Sequence, residues 1–136
     1  MKTGYIKIEE NSNNEFIVKV KLDNGNNGNL WLTEYEIARL FNVYDITIRN
    51  NLRSIFKSGL LREQDVACSH SFHQNGKDYI SVLYNLEAII FLSYMIASFE
   101  AEAFRKWLRT AIIDNLERQQ HSAADLLQIS TVFSLN

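Results

Sequence analysis

Between Thr33 and Gly59 the chain holds two short amphipathic segments separated by so few residues that, as helices, they must cross tightly. That pairing constrains the fold more than any other feature. Thr33 predicts an N-cap, and Glu36 three residues on completes a capping box. The helix so opened turns Ile37, Leu40 and Phe41 inward and breaks at Asn42, which tolerates the left-handed conformation of a sharp turn. Ala38 is small where steeply crossing helices touch. Asp45 predicts the cap of the second helix, with Ile48, Leu52, Ile55 and Phe56 on its inward side and Gly59 as its C-terminal cap. With Val43 also apolar, Glu34–Arg53 has the residue types of a helix-turn-helix. It departs from the usual pattern in lacking a turn glycine and in placing Asn51 where an aliphatic residue is common.

The flanking segments read as strands and further helices. Phe16, Val18, Val20 and Leu22 alternate with Ile17, Lys19 and Lys21, the period of a half-buried strand, and Ile6 and Ile8 suggest its partner across Asn11-Ser12-Asn13-Asn14. Asn24-Gly25 and Asn27-Gly28 predict a loop before a short strand, Leu30–Leu32. Val66–Phe72 and Asp78–Tyr84 form a hairpin around Gln74-Asn75-Gly76-Lys77, where Asn-Gly is a strong turn signal. Asn85 caps a helix reaching Ile96 that is apolar nearly all round. Ser98 caps another, with an inward stripe of Phe104, Trp107, Leu108, Ala111, Ile112 and Leu116. The expectation is an α+β fold: a winged helix-turn-helix-like core with an N-terminal β-hairpin and two C-terminal helices. It forms one domain over 1–118, with a weakly structured or helical tail over 119–136.

Charge and composition narrow the function classes. A polar start argues against a signal peptide, and the longest uncharged apolar stretch, Ala88–Phe99, is short of the ~18 residues of a membrane span. A single cysteine, Cys68, leaves no disulfide framework, so a cytoplasmic location is expected. Net charge is −2, yet from Arg39 to Arg62 five basic residues face Asp45 alone, a local +4 that leaves −6 for the remainder. A basic patch on an acidic body suits a phosphate backbone. The order of strand, two helices and hairpin is that of a winged helix-turn-helix, whose second helix (here Asp45 to Phe56) enters the major groove. Tyr44, Asp45, Ile46, Arg49, Asn50 and Arg53 then project outward as base-reading candidates: Arg49 suits a guanine edge and Asn50 an adenine. Arg39, Arg53 and Lys57 are placed to hold phosphates, as are Lys77 and Gln74 at the hairpin tip. Arg105, Lys106 and Arg109 form a second basic cluster on the outer face of the last long helix, a further set of phosphate contacts.

Several motifs also look like one known family. Leu30-Trp31-Leu32-Thr33, Phe41-Asn42-Val43, Asn50-Asn51-Leu52-Arg53-Ser54-Ile55-Phe56, Asn75-Gly76-Lys77-Asp78-Tyr79, Tyr84-Asn85-Leu86-Glu87-Ala88-Ile89-Ile90 and Phe104-Arg105-Lys106-Trp107 resemble the RhuM family of bacterial virulence-associated proteins. That family is in turn distantly similar to BRO-N and KilA-N domains. The resemblance covers about Leu30 to Ile113. It implies a bacterial or mobile-element protein with a DNA-binding, regulatory role, and it carries no catalytic residues over.

Other constellations are weaker. Cys68, His70 and His73 have a spacing open to zinc, but on a strand His73 points away from the other two and no fourth ligand is near, so no metal is expected. No phosphate-cradling glycine loop, nucleophile elbow or His-Glu metal motif occurs, so neither an enzyme nor a cofactor or small-molecule substrate is expected. The expected partners are double-stranded DNA and a second copy of the chain, since such domains gain specificity by pairing half-sites. The alternative is a protein-interaction or oligomerisation module of winged-helix shape without DNA binding. It would be favoured if Arg49 and Arg53 lay paired to acidic side chains.

Overall fold

A computed structural model describes residues 4–22 and 30–134, with side chains through residue 122. The chain divides into two compact units, Met1–Arg105 and Lys106–Asn136. Among the described residues the fold is mixed α+β, with five helices and two small antiparallel sheets.

In the first unit, β1 (Tyr5–Glu10) and β2 (Phe16–Lys21) pair as a hairpin with Ile6 opposite Val20 and Ile8 opposite Val18. These four residues and Phe16 are half-buried while Tyr5, Lys7, Ile17 and Lys19 face out, as the period-two pattern predicts. Asn11 closes the turn, its side-chain oxygen accepting from the Asn13 and Glu15 backbone amides. Gly4 opens β1 where only a hydrogen fits, because a Cβ there would stand 2.0 Å from the Lys21 carbonyl oxygen. The expected Asn-Gly loop before the next strand lies outside the described residues.

β3 (Trp31–Leu32) leads into α1 (Glu34–Phe41) and α2 (Asp45–Ser58). The capping box is present: the Glu36 amide donates to Thr33 Oγ1 at 3.1 Å, and the Thr33 amide donates to Glu36 Oε1 at 3.0 Å. Asn42 takes the left-handed conformation (φ 56°), and the Val43 amide turns back onto the Ala38 carbonyl at 2.9 Å. Ile37, Ala38 and Phe41 of α1 and Ile48, Leu52 and Ile55 of α2 are buried, and the two helices pack on each other. Asn51 spends its amide within the helix, donating to the Thr47 carbonyl at 2.9 Å, which explains how a polar group replaces an aliphatic one. Gly59 (φ 80°) ends α2 as predicted.

The cap of α2 differs from expectation. Tyr44, not Asp45, is the N-cap, with its backbone carbonyl accepting from Thr47 and Ile48 and no side-chain cap bond; Asp45 is the first helical residue. A carboxylate one residue inside the helix has passed the extended backbone from which a cap reaches back, although it still sits favourably at the positive helix end.

After a single helical turn, α3 (Glu63–Val66), β4 (Ala67–Gln74) and β5 (Lys77–Asn85) form the second hairpin. Both turn residues, Asn75 (φ 54°) and Gly76 (φ 78°), have the positive φ that matches a two-residue turn to strand twist. β5 also pairs with β3, giving the order β3-β5-β4. Helix α4 (Leu86–Met95) follows, capped by Asn85, whose Oδ1 accepts from the Ala88 amide at 3.1 Å. The core joins Leu30, Val66, Ala88, Ile89, Leu92 and Phe104 to the buried residues of α1 and α2, and Phe104 meets Phe41 edge-on at 5.8 Å.

α5 (Phe99–Ser134) begins in the first unit, where Ser98 Oγ accepts from the Ala101 amide, and continues through the second. Its expected inward stripe is buried at Phe104 and half-buried at Trp107, Leu108 and Ala111, but Ile112 and Leu116 are exposed, as is the neighbouring Ile113. A helical repeat marks which face is apolar; tertiary structure decides whether anything covers it. None of the helices is long and apolar enough to cross a membrane among the described residues.

Candidate nucleic-acid interface

Because Ile48, Leu52 and Ile55 commit one side of α2 to the core, the helical repeat turns Ile46, Arg49, Asn50 and Arg53 away from it, while Tyr44 and Asp45 stand at the open start of the helix; all six are exposed. Tyr44 is 82% and Ile46 51% exposed, a large apolar presence at the start of a helix that otherwise shows polar groups outward. Lys57 lies exposed in the last turn, where its charge also complements the helix dipole. Arg53 and Lys57 make no ion pair among the described residues.

Arg49 is different, and here the sequence expectation is corrected. Its Nε lies 3.1 Å from Glu34 Oε2, so an acid from α1 holds it, whereas Asp45 had been the only acid expected nearby. Glu34 is free for this because Glu36 serves the capping box. The two residues stand fifteen positions apart, and no periodicity reports such a contact; only the crossing of α1 and α2 creates it. A partly exposed pair of this kind contributes less than about 1 kcal/mol, so Glu34 biases Arg49 without locking it away. Widening the basic window shows the same compensation: over 34–65, five basic residues meet five acids, Glu34, Glu36, Asp45, Glu63 and Asp65.

Arg39 is exposed on α1 and is also engaged, its Nη1 donating to the Tyr35 hydroxyl at 2.7 Å with the guanidinium over the same ring. The spacing of four residues carries that signal, which the sequence reading passed over.

β4 and β5 extend the candidate surface. Every residue from Ser69 to Ile80 is exposed. Cross-strand pairing puts Phe72 against Tyr79, stacked at 5.4 Å, on one face, and His73 Nδ1 against Asp78 Oδ1 at 2.8 Å on the other. Cys68 and His70 share the first face, so His73 diverges from them. Gln74 and Lys77 face each other next to the turn, both exposed. At the root, Tyr84 is buried and stacks on Phe56 of α2. Burial pushes its phenol above the ordinary range; the charges of Glu34 and Glu63 add to the rise and Arg49 opposes it. Between root and tip, Thr33, Glu34, Asp45 and Arg49 line an open cleft with Ile80 and Val82 of β5.

The second basic cluster is also corrected. Arg105 does not face out: its Nη1 donates to the carbonyls of Ser93 and, at 2.9 Å, of Ile96, satisfying the orphan acceptors at the end of α4. An arginine near a helix C-terminus in space is a cap, and nothing in its own helical position shows that. Lys106 and Arg109 are exposed on the second unit.

No family model, no curated protein and no solved structure matches this chain.

Proposed function

We propose that the first unit is a DNA-binding domain of winged helix-turn-helix shape, with α2 entering the major groove and the β4–β5 hairpin as the wing beside it. The observation that carries this is the pairing of two exposed features on one core: the outward face of α2, with Asn50, Arg53 and Lys57, and a hairpin exposed on both faces from Ser69 to Ile80. Asn50 and Arg49 are the base readers in this scheme, and Arg53, Lys57 and Lys77 the phosphate contacts. Arg39 is a secondary contact, and Arg105, held at the end of α4, does not belong to the set. The resemblance to the RhuM family points the same way, toward a regulator in the bacterial cytoplasm that binds rather than catalyses and that pairs with a second copy to span two half-sites.

The test is a salt titration of binding to random duplex DNA. The logarithm of the affinity should fall linearly with the logarithm of salt, and Arg53→Ala and Lys57→Ala should each reduce the slope by about one. Absence of salt-dependent binding to any duplex at low ionic strength would remove this reading. It would favour a protein-interaction surface instead, which the Glu34–Arg49 pair and the exposed Tyr44, Ile46 and Ile80 also suit.

A further inference from the structure

We infer that Glu34 is a positioning residue for base reading: it grips Arg49 by Nε and so presents the two terminal nitrogens of the guanidinium together toward a guanine edge. This rests on the DNA-binding reading above and deepens it.

A guanidinium carries five N–H donors in a rigid plane and can offer a side fork, made of Nε and one Nη, or an end fork, made of the two Nη atoms. The contact at 3.1 Å between Nε and Glu34 Oε2 uses the side fork. No described acceptor takes the Nη atoms. The burial gradient has the matching sense: the Glu34 side chain is 26% exposed and that of Arg49 46%, so the acid stands behind and the arginine in front. Glu34 is itself held, since it occupies the first turn of α1 directly after a cap fixed by two hydrogen bonds. The wall of β5, with Ile80 and Val82, flanks the same cleft. A long side chain so restrained has less rotamer freedom left to lose when it meets a base, which is how preorganisation raises specific affinity. A carboxylate here also repels phosphates, so it should weaken sequence-independent binding while strengthening discrimination.

These opposed effects separate positioning from two simpler roles. Affinities are measured on a duplex enriched from a random-sequence library and on unselected duplex of equal length, with thermal melting alongside. Glu34→Ala should bind unselected duplex more tightly and the enriched duplex more weakly, so that the ratio of the two falls by about three- to fivefold. Glu34→Gln loses the same charge but keeps an oxygen that accepts from Nε, and it should retain most of the ratio. Arg49→Lys, which has no fork, should lose the ratio as Glu34→Ala does, and adding Glu34→Ala to Arg49→Ala should not lower it further. An unchanged ratio in Glu34→Ala, with both affinities falling in step with the melting temperature, would make the pair a structural clamp and overturn the inference. Equal gains on both duplexes would make Glu34 a plain electrostatic brake and overturn it too. Wild-type protein that binds no duplex in a salt-dependent way would overturn the DNA-binding reading itself, a result distinct from an unaltered ratio in a protein that binds and discriminates.

Discussion

In the β1–β2 hairpin exposure alternates: Ile6, Ile8, Val18 and Val20 are half-buried, and Lys7 and Lys19 stand opposite each other on the outer face. In the β4–β5 hairpin the alternation stops at Ser69, and both faces remain exposed up to the turn. Burial of one apolar face holds the first. The second has an Asn-Gly turn, the stacked Phe72–Tyr79 pair and an exposed His73–Asp78 contact, devices that leave an isolated hairpin marginal. Its stability therefore comes from the root, where Tyr84 is buried against Phe56 and β5 pairs with β3. Ile80 at 73% exposure does nothing for the core. A hairpin that keeps such residues in water is built to reach outward, whereas the first is built to cover.

That contrast can be broken or sharpened by substitution. Tyr84→Ala should have the largest effect, destabilising the protein by roughly 3–5 kcal/mol through loss of a buried ring. Chemical denaturation measures it, and a loss below about 1 kcal/mol would mean that the root does not anchor the second hairpin. Gly4→Ala comes next. Its new methyl would stand 2.0 Å from the Lys21 carbonyl oxygen, so the first hairpin must shift, at a cost of roughly 1–3 kcal/mol. An unchanged melting temperature would show that β1 and β2 separate freely there. The smallest effect on stability, within about 0.5 kcal/mol, is expected from Lys77→Ala and Lys19→Ala, both exposed. On duplex DNA the two should part company: Lys77→Ala should reduce the salt slope by about one and Lys19→Ala should leave it unchanged. Equal slopes would deny the second hairpin its distinct role.

What the sequence determined by itself was most of what is held by bonds a few residues long. The capping box of Thr33 and Glu36, the left-handed Asn42, the Asn75-Gly76 turn and the caps at Asn85 and Ser98 are each written in neighbouring residue types. The inward faces of α1 and α2 followed as directly, because one apolar side of a helix must be buried. Short-range chemistry was ambiguous where adjacent residues compete for one role, as when the Tyr44 carbonyl, rather than the Asp45 side chain, begins α2. A helix of one turn, Glu63–Val66, is too short to show a period. Tertiary structure decided the partners of the long cations. Arg49 meets Glu34 across fifteen residues, and Arg105 reaches back to Ser93 and Ile96 at the end of another helix. Such side chains span several ångströms and carry donors at their tips. Their partners are therefore set by which helix ends the packed core brings together, and helical spacing alone cannot tell a solvated arginine from one that is held.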